Sequence, residues 1–460
     1  MKILFIAPCP KDNQRHDSMA IPQLTLPLLA GMTPEQHEVK IIEEVHHGII
    51  DFDQEVDVVG ITIMTQTAIR GYEIANEFKK RGKTVIFGGI HATVLPHEAI
   101  KYGDAVVIGE VENGLWEQII LDVQTFSLKE FYRLEAFPHL NDFVVPRRDL
   151  IKTSAGKFGI APIETSRGCP YQCDFCTVSR SFGTKQRHKP IDLVIKDIKG
   201  IKEKVLFFID DNVTINKKYA KELFQRMIPM KKYWVGQASI NIVNDNELMK
   251  LAYKSGCRGL LIGFESMTES GICKYKKTFG TFDANVEAVK KLQGNGILTM
   301  ASFVFGLDDD TQAVFENTYQ FVKKAKPAFL QACSLTPYPG TEVFERMKLE
   351  NRILTDDWSQ FDAKKVIISP KSMTSEELQH GYTSIKDQTY SYKSILSRSL
   401  PHLFSGISAT LLYFSLNNGA RKWHQSGLTS IPFKNAEHMP VDFDVAKYVT
   451  PVKVKQEVLV

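Results

Sequence analysis

Short runs of β-branched and aromatic residues alternate with amphipathic stretches over the first 125 residues. "KILFIAP", "VDVVGITIM", "KTVIFGGI" and "AVVIGE" have the apolar density of buried strands, and "TAIRGYEIANEFKKRG" has the period of a helix. Alternation of this kind predicts a parallel sheet covered by helices, an α/β unit. Sites in such sheets form at the carboxyl ends of strands. There the chain places Thr62 to Thr65 with Met64 among them, Gly88-Gly89-Ile90-His91, and Gly109-Glu110.

Residues 126–160, with scattered charges and "VVPRRD", show no period and read as a linker between domains. A second alternating series follows over 161–345. "GIAPIETSRG", "KVLFFIDDNVTI", "YWVGQASI", "GLLIGFES", "LTMASFVFGL" and "AFLQACSLTPYPG" are strand-like, with charged helical sequence between them. They suffice for a partial (β/α)6 barrel and fall short of the eight units of a closed one. Asp210-Asp211-Asn212, Glu265-Ser266 and Asp308 to Asp310 follow these strands, so on a barrel they ring one mouth.

From 346 to 460 the rhythm fades into a mixed, mainly helical extension. Within it, residues 399–420 carry no Asp, Glu, Lys or Arg, and Arg398 and Arg421-Lys422 bound them. The stretch is too polar to span a bilayer. It reads as a buried packing helix, with an interfacial helix making peripheral membrane contact as the alternative.

Composition narrows the class. In 460 residues, 43% hydrophobic and 24% charged, there is chain for more than one core. A net charge of +4 with dispersed lysines gives no reason to expect a nucleic-acid partner. The apolar start is cut by Pro8 and Pro10 and lacks a basic leader, so it reads as a first strand and not as a signal peptide. Seven cysteines, three clustered and Cys9, Cys257, Cys273 and Cys333 scattered, do not form a disulfide framework. A reducing cytoplasmic setting is expected.

The clustered three stand in "TSRGCPYQCDFC", residues 165 to 176, as Cys169, Cys173 and Cys176. A closed structural zinc site takes four protein ligands, whereas three thiolates wrapped around an iron-sulfur cluster leave one iron open. A zinc knuckle completed by His188, or three buried thiols, are the alternatives from spacing alone.

"CPYQCDFC", with Phe175 before the last cysteine, resembles the CxxxCxxC loop of the radical S-adenosylmethionine enzymes. "FFIDDNVTI", "GFES", "FVFGLDDDT" and "LTPYPGT" are similar to the strand signatures of members that carry a cobalamin-binding domain in front, and the resemblance spans about residues 1 to 345. The extension's "NRILTDDWSQFDAKK" resembles relatives that include hopanoid methylases.

The resemblance implies a 4Fe-4S cluster on Cys169, Cys173 and Cys176, with S-adenosylmethionine chelating the fourth iron and yielding a 5'-deoxyadenosyl radical. It implies Asp210, Asp211 and Asn212 near the methionine moiety, Glu265 near ribose or methionine, and the backbone around Phe175 near adenine. It also implies an electron donor such as flavodoxin or ferredoxin, and a small-molecule or lipid substrate. Methylation of an unactivated carbon is the leading reaction; a radical cyclase, oxidase or rearrangement enzyme and a non-catalytic sensor are the rivals.

The front domain, 1–125, resembles Rossmann-like cobalamin domains with one departure. Thr62-Ile63-Met64 stands where such domains carry SxL, and Gly88-Gly89 follows at suitable spacing, but the upstream DxHxxG is missing. In "QRHDSMA", Gln14 replaces the acid that would orient His16, so cobalamin without a histidine ligand is expected.

Overall fold

The computed structural model describes residues 1–9, 23–47, 50–141, 144–151, 159–268, 281–399 and 407–425. His16, Cys273, the start of the uncharged stretch (400–406) and the chain beyond 425 lie outside the described residues.

The front sheet is parallel throughout. Its strands are β1 (Lys2–Ala7), β2 (Glu38–Glu43), β3 (Val58–Thr62), β4 (Thr84–Gly88), β5 (Ala105–Ile108) and β6 (Phe131–Arg133), in the order β2-β1-β3-β4-β5-β6. β1, β3, β4 and β5 are the strands expected from their apolar runs. Both faces of these strands are covered, which is why the runs are nearly continuous. Leu4, Ile6, Val59 and Phe87 pack under Tyr72 and Phe78 of the helix Ala68–Lys80, while Ile3, Phe5 and Ile86 pack against Trp116 and Ile120. Burying each of these larger side chains contributes roughly 1.5–3 kcal/mol.

Two strands had no such signal. β2 is an edge strand with Glu38 and Lys40 facing out, so only three of its six residues are apolar. β6 falls inside the stretch read as a linker: three residues are too few to show a period, yet Val107↔Tyr132 pairing adds it to the sheet. The front unit therefore runs past residue 125 to at least Arg133. The strand order reverses between β1 and β3, so the switch point and the carboxyl ends of β3, β4 and β5 share one edge.

The second sheet is also parallel, in the order β14-β13-β12-β11-β10-β7. It is built from β7 (Ile160–Ile163), β10 (Val205–Phe208), β11 (Tyr233–Ala238), β12 (Cys257–Glu265), β13 (Leu298–Phe305) and β14 (Phe329–Ser334). These are the six strands read from the sequence. Between β7 and β10 lies an antiparallel pair, β8 (Ser166–Arg167) with β9 (Arg187–His188), whose loop carries the three cysteines.

Side chains along β13 alternate between two environments. Ala301, Phe303 and Phe305 are fully buried on the helical side, where Phe303 meets Phe321 of the helix Ala313–Ala325 at 5.6 Å. Met300, Ser302 and Val304 face the inside and are half-buried. A closed eight-stranded barrel fills its interior with such side chains; six strands leave an open inner wall.

An open barrel has two edges, and both are covered. At β7, Arg148 Nη2 donates to the Pro162 carbonyl at 3.0 Å. At β14, the extension supplies Tyr382, whose hydroxyl donates to the Ala332 carbonyl at 3.1 Å, and the Ala363 carbonyl, which accepts from the Ser334 N–H at 2.9 Å. The extension also reaches the front unit, where Trp358 packs on Val94 and Leu95.

The helix Ile407–Gln425 buries Tyr413 and Asn417, and Asn417 Nδ2 donates to the Ala328 carbonyl at 3.0 Å. Packing on the barrel thus accounts for this face of the uncharged stretch. No helix among the described residues is long and apolar enough to cross a membrane.

Candidate active site

Gly168 opens the cysteine loop with φ +90°, and a side chain there would stand 2.7 Å from the Lys185 carbonyl. Only glycine allows so close a crossing at that angle. Cys169 N–H then donates to the Gly183 carbonyl, and Cys176 N–H to the Cys173 carbonyl, which shapes the loop. Cys169 and Cys173 are 8% exposed and Cys176 is half-buried beside Phe175. Among the described residues no three His, Cys, Asp or Glu side chains converge as the ligands of a single ion do. The thiolates of a four-iron cluster each take a different iron and so stand apart. His188, the alternative zinc ligand, packs instead against the Tyr219 ring at 4.4 Å.

The acids after the barrel strands differ in their surroundings. Asp210 is 1% exposed, and its carboxylate accepts from Thr165 N–H, from Thr165 Oγ1 and, at 2.6 Å, from Ser166 Oγ. Burial pushes this carboxyl up to about 6 against those hydrogen bonds. Asn212 Oδ1 accepts from the Thr214 N–H and hydroxyl, both at 3.0 Å. These two side chains hold the strand ends through those hydrogen bonds.

Asp211 differs. It is half-buried, receives the Gly168 backbone N–H, and burial together with the Asp210 charge pushes it up to about 7. It is the member of the trio suited to exchange a proton near neutral pH.

Glu265 ends β12 at a register shift, with φ +65°. Its carboxylate folds over Gly263, where a side chain would lie 2.4 Å from Oε1. Ser266 Oγ donates to Asp310, whose carboxylate also receives the Gly306 and Leu307 N–H groups and closes the turn after β13. Asp308 pairs with Arg346 and Arg352. These aspartates are structural.

On the front sheet, Gly89 (φ +94°) lies against the end of β3: a side chain there would meet the Ile63 carbonyl at 2.7 Å and Thr62 Oγ1 at 2.8 Å. Gly88 and Gly109 face open space, and Met64 is 41% exposed. The strand ends therefore offer bare backbone that a bulky, flat group can approach, which fits cobalamin.

Two of the strand-end residues do not join this surface. His91 is fully buried, bonded through Nε2 to Glu98 and boxed by Tyr72 and Trp358. Glu110 accepts from Arg167 Nη1 at 2.6 Å and from Arg187 at both oxygens.

That last contact joins the two halves. Arg167 and Arg187 stand at the two feet of the cysteine loop, and Arg167 also pairs with Glu112 and Glu164. Burial works to raise the Glu164 carboxyl, but Arg167 and Lys189 outweigh it and hold it at about 2. Sequence reasoning missed Arg167, Arg187 and Glu164; the signal was an arginine inside "TSRGC" that neither turn nor ligand chemistry required. A surface hollow of about 690 Å³ beside Lys199, Arg226 and Lys232 lies at the opposite, amino-terminal end of the barrel and carries none of these groups.

Residues 163–322 match the radical SAM superfamily and residues 20–117 match the B12 binding domain. The bacteriochlorophyllide d C-12(1)-methyltransferase of Chlorobaculum tepidum is 30% identical over 408 residues, covering 86% of this chain and 89% of the relative. The C-8(2)-methyltransferase of the same organism is 31% identical, covering 82% and 87%. Among solved structures, the radical S-adenosylmethionine methyltransferase TsrM from Kitasatospora setae, with cobalamin and a [4Fe-4S] cluster bound, aligns with a TM-score of 0.64 at 15% identity, covering 92% of this chain and 99% of that one. Fold and site together define a radical enzyme with a cobalamin domain in front. The chain belongs to the cobalamin-dependent radical S-adenosylmethionine methyltransferase family.

Proposed function

We propose that the protein methylates an unactivated carbon of a small, largely apolar molecule. The Glu110 bridge carries this reading: Arg167 and Arg187, at the feet of the cysteine loop, grip the residue two places past β5, which brings that loop to the carboxyl end of the front sheet. When bound, the cluster supplies an electron to S-adenosylmethionine and cobalamin supplies a methyl carrier.

The chain's own part is placement. Cys169, Cys173 and Cys176 hold the cluster, Thr62, Gly88, Gly89 and Gly109 present backbone to cobalamin, and Asp211 with Glu265 faces S-adenosylmethionine. Phe207, Val235, Leu261, Met300 and Val304 line an apolar inner wall that takes the acceptor and excludes water. The names of the Chlorobaculum relatives, both methylating a bacteriochlorophyllide, support an acceptor of that polarity. A flavodoxin or ferredoxin delivers the electron.

The test supplies methyl-labelled S-adenosylmethionine to cobalamin-loaded enzyme with a small-molecule extract of cells that lack it. S-adenosylhomocysteine and 5'-deoxyadenosine are expected in nearly equal amounts beside a labelled product. A cyclase or oxidase forms 5'-deoxyadenosine without matching S-adenosylhomocysteine. Sustained 5'-deoxyadenosine formation with no labelled product overturns the reading.

A further inference from the structure

One level of the barrel's inner wall is polar. Ser302 of β13 is in register with Gly263 of β12 on one side and with Gln331 of β14 on the other. Ala301 and Phe303 are fully buried on the helical side, so Ser302 between them faces the inside, and register partners in a parallel sheet face the same way. Burial follows the same alternation: Ile262, Phe264 and Leu330 are buried, whereas Gly263 is half-buried and Gln331 is exposed.

Neighbouring strands stand about 4.8 Å apart, so this level is a band roughly 10 Å long. Its β12 end carries no side chain of its own, and the Glu265 carboxylate folds over Gly263 into that place. Leu261 and Met300, in register with each other, make the level below apolar, and Val304 faces the inside one level above, beside Cys333.

The scaffold makes little use of the two polar side chains in this band. Among the described residues the Ser302 hydroxyl has no hydrogen-bond partner, and the Gln331 amide makes one long contact, from Nε2 to Cys333 Sγ at 3.7 Å. Glutamines that hold the barrel together are tied to carbonyls instead: Gln186 Nε2 donates to that of Asn212 and Gln293 Nε2 to that of Lys326, each at 2.8 Å. An apolar body seated on the wall strips water from Ser302 and Gln331. Each then costs free energy unless the ligand itself supplies a partner.

We propose that Ser302 and Gln331 bind a neutral oxygen of the methyl acceptor, a ketone or hydroxyl on an otherwise apolar body; this rests on the assignment of the inner wall to the acceptor. The serine hydroxyl and the glutamine amide both donate, and a separation of one strand lets them reach the same oxygen. A carboxylate is disfavoured there, because the Glu265 carboxylate lies one strand away from Ser302 on the other side. Such a pair discriminates, since an acceptor without the oxygen leaves both groups dry and unpaired. It also orients an apolar body that dispersion alone leaves free to rotate.

The experiment reads binding, so it is separate from methyl transfer. Anaerobic holoenzyme without reductant is titrated, following tryptophan fluorescence, with methyl pyropheophorbide a and its analogue whose ring ketone is reduced to methylene, and with 1-dodecanol and dodecane. The ratio of affinities within a pair is compared between the wild type, Ser302→Ala and Gln331→Met, which cancels the greater hydrophobicity of the oxygen-free member. In at least one pair each substitution is expected to shift the ratio about tenfold toward the oxygen-free member. General damage to the wall weakens both members alike and leaves the ratio where it was.

Cluster and cobalamin absorbance verify that the variants fold, and the pair showing the shift tells a chlorin ketone from a chain alcohol. A ratio that either substitution leaves unchanged in both pairs, or binding of none of the four compounds to the wild type, overturns the proposal. The expected shift without any methyl transfer leaves the pair of residues standing and sinks the methylase reading instead.

Discussion

The indole Nε1 of Trp358 donates to Glu98 Oε1 at 3.0 Å, across 260 positions of sequence. The same oxygen accepts from the Tyr72 hydroxyl at 2.9 Å and meets His91 Nε2 at 3.3 Å. The extension is thereby fastened to the front unit at the point where the barrel's Gly340 also approaches Val94. Trp358→Phe keeps an aromatic ring and removes the donor. It should lower stability by about 1–3 kcal/mol, seen as a lower urea midpoint; an unchanged midpoint shows that this contact does not fasten the domains.

The two adjacent glycines at the end of β4, Gly88 and Gly89, should behave differently. Gly89→Ala puts a side chain at φ +94° and 2.7 Å from a carbonyl, so it should destabilise the front unit by about 1–3 kcal/mol. Gly88→Ala meets nothing within 4 Å and should fold as the wild type does, yet bind cobalamin about tenfold more weakly, because the added methyl occupies the bare surface. Cobalamin titration of folded Gly88→Ala decides this, and wild-type affinity places the cofactor elsewhere.

Cys169→Ala, Cys173→Ala and Cys176→Ala should each abolish cluster loading in anaerobic reconstitution, read by iron content and visible absorption. Cys257→Ala and Cys333→Ala should load normally. Cys257 is fully buried in the barrel core, where burial raises its thiol far out of the range of ligand chemistry. A requirement for either of these two would reassign the ligands.

Asp210 gives a pH signature. Its folded carboxyl sits near 6 against 3.8 in an unfolded chain, so between those values the folded state holds more protons. Its contribution is therefore greatest below about pH 4 and is lost as pH rises to about 6, an effect on the order of 3 kcal/mol at most. Asp210→Asn should be less stable at acid pH, and the gap from wild type should narrow as pH rises through this window. Urea unfolding of both proteins from pH 4 to 7.5 measures it, and a gap independent of pH removes Asp210 as its source.

What was legible along the chain is local in its physics. Four of the front strands announce themselves because a strand covered on both faces must be apolar throughout, and the six barrel strands because their apolar runs are separated by charged helical sequence. The cysteine loop is readable because its three cysteines fall within eight positions, and Gly88-Gly89 because backbone approach requires glycine. β2 and β6 escaped notice, one by being half-exposed and the other by being three residues long.

The destiny of individual side chains depended on partners far away in sequence. Asp210 and Asp211 are neighbours, yet one is enclosed by Thr165 and Ser166, where the chain passes from β7 into β8, and the other stays half-buried. His91 and Glu110 follow strands in the manner of cofactor ligands, and only the arrival of Trp358 with Glu98, and of Arg167 with Arg187, draws them into the scaffold. By itself the sequence determined the cluster loop, the two parallel sheets and their order, since ligand spacing and apolar periodicity act over a few residues. The tertiary structure alone decided which polar groups are drawn into the scaffold, because burial and counter-ions come from whatever the fold brings alongside.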